Sequence, residues 1–284
     1  MKRLLFIALA LLLLSPAAGA QEFRARTSVG ANYKIMKGFH VEVEEELRLG
    51  NGLSSINSIR STVGLSYKVS DYFKFGGGYT LINPYEFKYY DNGSLKNQGF
   101  WYPRHRLFLE ATGTYRYGNF NFSLKEKLQF THRTDDSLNV YQNTRNALSL
   151  KSLVGVKYKG VKNYGFEPFA FFELRTALNE PWGVTYGNLL TTPNLKKDYY
   201  AYTHTGYTHV YNNRYRVILG VDYEPVKHHT ITFNTLLDWC SDYVIDTNGP
   251  SQWATEKGVR LFTATTGWHD YFRASLCLGY VYSF

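Results

Sequence analysis

The sequence predicts an all-β protein: a single antiparallel transmembrane β-barrel of about twelve strands, ten being possible, behind a cleaved signal peptide. Three observations lead there. Apolar and polar residues alternate from end to end of the chain after residue 20, the signature of half-buried strands. The alternating segments reach ten to fourteen residues, longer than most soluble strands and suited to a tilted bilayer crossing. The last strand carries Leu276, Leu278, Tyr280, Tyr282 and Phe284 on one parity, and the chain ends on Phe.

The leader comes first. Lys2 and Arg3 precede an unbroken apolar run, Leu4 to Leu14, which Pro16 ends; Ala18-Gly19-Ala20 supplies the small residues of a cleavage site. The run is too short for a membrane helix. Residues 1–20 are therefore expected to be a secretory signal peptide and 21–284 the barrel, with Gln21 as the first mature residue. Losing Lys2 and Arg3 takes the formal charge from +9 to +7. An exported basic chain meets anionic lipid or polysaccharide rather than nucleic acid.

The first strand, 23–35, places Phe23, Val29, Tyr33 and Ile35 opposite Arg24, Arg26, Ser28 and Lys34. Similar stripes predict strands over 40–49, 57–69, 72–82, 103–117, 120–133, 145–158, 164–177, 208–224, 229–242, 258–266 and 271–284. Lys37-Gly38, Ser70-Asp71 and Gly118-Asn119 make tight turns; 83–102, 134–144, 178–207 and 243–257 are long connections. Aromatic residues crowd the tight turns on the apolar parity, as in an interfacial girdle: Tyr67 and Phe73, Tyr115 and Phe120, Tyr158. A soluble sandwich or lipocalin-like barrel shares the period of two but would turn its apolar face inward. Twelve strands bring a conflict of sidedness. They put the long connections on the same side as Phe284, the reverse of the usual asymmetry.

The polar parity is rich in charge. Arg24, Arg26, Arg48, Arg104, Arg106, Arg175, Arg214, Arg216 and Arg273 fall on it, with Glu44, Glu46, Glu110 and Glu173. Inside a barrel such residues pair or stay wet. They form either a rigidifying network or the lining of a narrow pore, whose Arg excess would favour anionic solutes. Two acids, Glu45 and Glu126, interrupt apolar stripes instead. Each lies seven residues from its tight turn, close to mid-membrane depth. They are candidates to face lipid or a partner chain; a bulge turning each inward is the alternative.

No His-x-Ser of the phospholipase-barrel type occurs, no metal-ligand spacing emerges and no cofactor fingerprint is present. A barrel enzyme acting on outer-membrane lipid or lipopolysaccharide stays open only by analogy of architecture. Connection 178–207, with Trp182, Tyr186, Tyr199, Tyr200, Tyr202 and Lys196-Lys197, either folds over the barrel mouth and packs its own aromatics or binds sugar rings or lipopolysaccharide phosphate. Cys240 and Cys277 can bond only if strands ten and twelve are neighbours.

Glu46-Leu47-Arg48, Arg104-His105-Arg106, Glu167-Pro168 with Glu173, and Asn213-Arg214 with Gly220 and Tyr223 resemble a family of outer-membrane barrels, the domain-of-unknown-function 2490 family. The resemblance implies an all-β barrel in the bacterial outer membrane. It brings no reaction, cofactor or binding residues. Separately, the terminal strand ending in Phe284 resembles the one that the outer-membrane assembly machinery recognises, so that machinery, outer-membrane lipid and lipopolysaccharide are the expected partners.

Overall fold

A computed structural model describes residues 20–86, 89–91, 94–96, 100–101, 103–133, 146–160, 165–181, 183–190, 199–248, 253–254, 259–260 and 263–284. The expected signal peptide, but for Ala20, lies outside the described residues. Long alternating segments pair with their neighbours in sequence to form β1 (Glu22–Met36), β2 (Phe39–Leu49), β3 (Ile56–Lys68), β4 (Phe73–Glu86), β5 (Arg104–Tyr117) and β6 (Phe120–Arg133). The meander continues through β7 (Ala147–Tyr158), β8 (Phe166–Glu180), β9 (His209–Val226), β10 (His229–Asn248) and β11 (Thr263–Ser283). Pairing of β1 with β11 closes the barrel.

The strand count is eleven, not twelve. The segments expected at 258–266 and 271–284 are largely one strand, β11, paired to β10 from Asn248↔Thr263 through His229↔Tyr282. The hydrophobic alternation fades in the outer half of this hairpin, from Thr263 to Asp270. Backbone hydrogen bonds carry the register on regardless, so a pattern-based reading breaks the strand near Gly267. An odd count makes the closing pair parallel, Glu22↔Arg273 through Asn32↔Ser283, whereas bacterial single-chain barrels usually have even counts. It also removes the conflict of sidedness. The Phe284 amide bonds Asn32 and the Ser283 amide bonds His228, so the C-terminus sits with the tight turns. The long connections leave the opposite end.

The tight turns have local causes. Gly38 and Gly118 take φ of +82° and +56°, where a side chain is strained. In the turn after β3, Lys68 donates to Asp71 at 2.6 Å, and this bond with its charge holds the Asp71 carboxyl below the usual carboxylate range. His229, at the start of β10, hydrogen-bonds the Tyr280 hydroxyl at 2.8 Å. Mid-strand, Gly78 makes room for a ring: a Cβ there would lie 2.6 Å from Cζ of Phe108, which is buried inside the barrel. Connection 178–207 contains two paired strands, Gly183–Leu190 and Tyr199–Thr205. The side chains proposed there for binding lie outside the described residues.

Polarity is inverted relative to a soluble barrel. Each strand presents a large exposed apolar side chain outward: Val29, Val43, Val63, Phe75, Leu109 and Leu124 on β1 to β6, then Val154, Phe172, Tyr215, Trp239 and Leu278 on β7 to β11. The alternate residues, which face inward, carry the charge. Aromatics collect at both ends of the barrel. Tyr33 packs edge-on to Phe284 and Phe120 against Tyr158 near the turns; Tyr211, Tyr243, Trp268 and His209 cluster toward the long connections.

Candidate functional site: the arginine-lined interior

The register brings many of the inward charges into three groups. The first joins β8, β9, β10 and β11. Asp238 is fully buried (0% exposed) and accepts from Arg216 Nε and Nη2 at 2.5 and 2.8 Å and from Arg273 Nε and Nη2 at 3.1 and 2.9 Å. Glu173, also buried, pairs with Arg214 at 2.5 Å and Arg216 at 3.4 Å. These charge-assisted contacts, a bidentate fork from Arg216 to both Asp238 oxygens and two donors from Arg273 converging on Oδ2, hold β8 through β11 in one register. The second group lies on β5 and β6, where Glu110 pairs with Lys125 and Lys127 at 2.9 and 3.1 Å. The Lys127 ammonium also sits 3.6 Å from the centre of the Phe108 ring, a cation–π contact. In the third, Lys157 pairs with Asp222, which also accepts from Thr232 at 2.6 Å.

Beside the first group lies a cavity of about 210 Å³. Seven arginines from β1, β2, β3, β8, β9 and β11 line it: Arg24, Arg26, Arg48, Arg60, Arg175, Arg214 and Arg273. Asp242, the one carboxylate in the lining among the described residues, already accepts from Asn213 at 3.3 Å and from the Tyr271 hydroxyl at 3.0 Å. Glu22 serves Arg24 at 2.9 Å and Arg273 at 3.8 Å, and Glu46 serves Arg48 and, at 3.9 Å, Arg60. Arg26 and Arg175 make no ion pair among the described residues.

The sequence-predicted residues thus divide. Arg24, Arg26, Arg48, Arg175, Arg214 and Arg273 line the cavity, Glu46, Glu173 and Arg216 brace it, and Glu110 belongs to a separate cluster. Arg106 donates to Thr131 at 2.9 Å. Arg104 sits opposite Ile82 and Arg133, and Glu44 opposite Gly30 and Thr62. Neither lines the cavity. Asp238 lies on the polar parity, but its central place follows from register alone. Glu22, Asp242 and Tyr271 carried no distinguishing signal.

Glu45 and Glu126 remain on the outer face, and the ladders run unbroken past both, so no bulge turns them inward. Each accepts from a serine on the next strand: Ser61 to Glu45 at 3.1 Å, Ser152 to Glu126 at 2.7 Å. Cys240 and Cys277 are on neighbouring strands, yet their register partners are Tyr271 and Asn234, and both thiols are free. Among the described residues no His, Cys, Asp or Glu cluster could hold a metal.

A closed meander with an apolar exterior and an ionic interior defines an inside-out β-barrel. The chain belongs to the family described as "Protein of unknown function (DUF2490)", whose family model matches residues 23–188. Among solved structures it is similar to the outer-membrane expressed OmpT of Vibrio cholerae, at 10% identity and a TM-score of 0.37, covering 83% of this chain and 61% of that one. The chain thus spans less than two thirds of that protein's length. No curated protein matches it.

Proposed function

We propose that this protein is an integral outer-membrane barrel whose lumen is closed by its own ion-pair network, leaving a cationic cavity rather than a through-pore. One observation carries the membrane reading: exposed apolar side chains on all eleven strands around a charged interior. Such a continuous apolar surface in water would drive association, whereas in a bilayer it is the matching face. The buried Asp238 layer supports closure. Outer-membrane lipid and lipopolysaccharide are then the surroundings, and the exposed Phe284 is the handle for the assembly machinery.

Cell fractionation tests the location: the protein is expected in the outer-membrane fraction, extracted only by detergent. Recovery as a soluble periplasmic monomer would overturn the reading. Planar-bilayer recordings test the closure, with no steady conductance expected. A stable anion-selective current, diminished by Arg26→Gln, would replace closure with a pore.

The outward acids follow from the same reading. A carboxylate at mid-membrane depth costs something less than the roughly 2–4 kcal/mol of a basic residue. Glu45→Leu and Glu126→Leu are therefore expected to fold as well as the parent or to raise the urea midpoint, while weakening association with a partner chain or a lipid head group drawn to that depth. Failure of either variant to fold would make the glutamates structural.

A further inference from the structure

We propose that the arginine-lined cavity is a binding site for a small phosphate-type oxyanion that enters from water at the long-connection end of the barrel. The proposal rests on the closed lumen argued above. The cavity and the pairs that brace it hold eight arginines, Arg216 included, against five carboxylates, among the described residues. Like charges held this close repel, and a bound dianion relieves them. The donors are also incompletely used. Nε of Arg24, Arg60 and Arg214 is buried without a hydrogen-bond partner. Such orphaned donors are costly and mark places where a ligand or water completes the network. Guanidinium forks match the oxygen spacing of phosphate and bind it in bidentate fashion. A monovalent halide offers no such match, and a monocarboxylate neutralises less of the surplus.

The source of the anion follows from the wall. Around the cavity, β1–β2–β3 and β8–β9–β10–β11 pair side by side and close through the β1–β11 pair, with register shifts at Arg175/Thr176 and Arg48/Leu49 but no strand missing from the wall. A lipid head group has no sideways route from the bilayer, so the ligand is a soluble one. The capacity of about 210 Å³ suits a single phosphate with a few waters.

The test uses full-length protein in detergent at low ionic strength, titrated calorimetrically with inorganic phosphate. Chloride at matched ionic strength is the control, and phosphatidylglycerol in mixed micelles the lipid arm. Phosphate is expected to bind saturably and to raise the unfolding midpoint, with chloride and phosphatidylglycerol without effect. Arg26→Gln and Arg175→Gln are expected to weaken phosphate binding tenfold or more. Both arginines lack an acid partner among the described residues, so the ligand-free midpoint of these variants should hold or rise, which a merely structural role would not produce. Should the glutamine variants misfold, Arg26→Lys keeps the charge and loses the fork; it is expected to fold and to bind several-fold more weakly than the parent. Equal affinity in parent and variants, equal effects of phosphate and chloride, or binding only from the lipid arm would each overturn the proposal. Absent binding in a folded, non-conducting barrel removes this site and leaves the closed barrel standing. A steady current removes the closure whatever the titration shows.

Discussion

Asp238→Ala is expected to destabilise the folded barrel by about 3–5 kcal/mol, the cost of leaving buried charges without their partner. Asp238 is fully buried and holds Arg216 and Arg273 from the strands on either side of β10. Without it, two guanidiniums stay in a space already crowded with arginine, left with Glu173 at 3.4 Å from Arg216 and Glu22 at 3.8 Å from Arg273. Equilibrium urea unfolding, followed by tryptophan fluorescence in detergent or vesicles, measures the loss. A change under about 1 kcal/mol would mean that the layer is solvated and the arginines re-pair with water, as expected of weakly contributing exposed pairs. Arg175→Gln makes the contrast, since it removes a charge that makes no ion pair among the described residues.

Leu124→Arg is expected to cost about 2–4 kcal/mol in a lipid bilayer. Leu124 is 55% exposed on the outer face of β6, five residues beyond Asn119 and so well within an apolar span. In a water-soluble barrel the same change would be close to neutral, because exposed substitutions away from special features rarely exceed about 0.5 kcal/mol. Folding in vesicles of stated lipid, compared with the parent, therefore reads the surroundings of that face directly. A neutral result would count against a bilayer.

Much of this architecture was legible in the residues because a period of two sorts side chains by face before any strand is paired. Phe108 shows it: an aromatic on the polar parity of β5, it lies inside, while Leu107 and Leu109 face out. Glu45 and Glu126 kept the face their parity assigns them. Pairing was the part that could not be read. The inward arginines were visible as a set, yet which of them share Asp238 depends on register across three strands. The twelfth strand was an error of the same origin: beyond the apolar belt, at Trp268 to Asp270, both faces of the hairpin are polar or aromatic and the periodic signal fades. The cysteines show the limit most plainly. Their strands are adjacent, but Cys240 and Cys277 are displaced along the ladder by six register positions, a distance of about 20 Å.

The parallel seam between β1 and β11 has a consequence for rewiring the chain. In an even meander both strand ends emerge at one rim, and a short linker can join them. Here Glu22 lies beside Arg273, while Phe284 is at the rim of tight turns, eleven residues further along β11. A connection between them must cover about 36 Å. Circular permutants with a linker of a few residues are therefore expected to fail to close, and those whose linker can run that length back along the wall to succeed. The same separation means that reporters fused beside Glu22 and beside Phe284 would not share a rim, a topological asymmetry that a label confined to one end of the barrel can read.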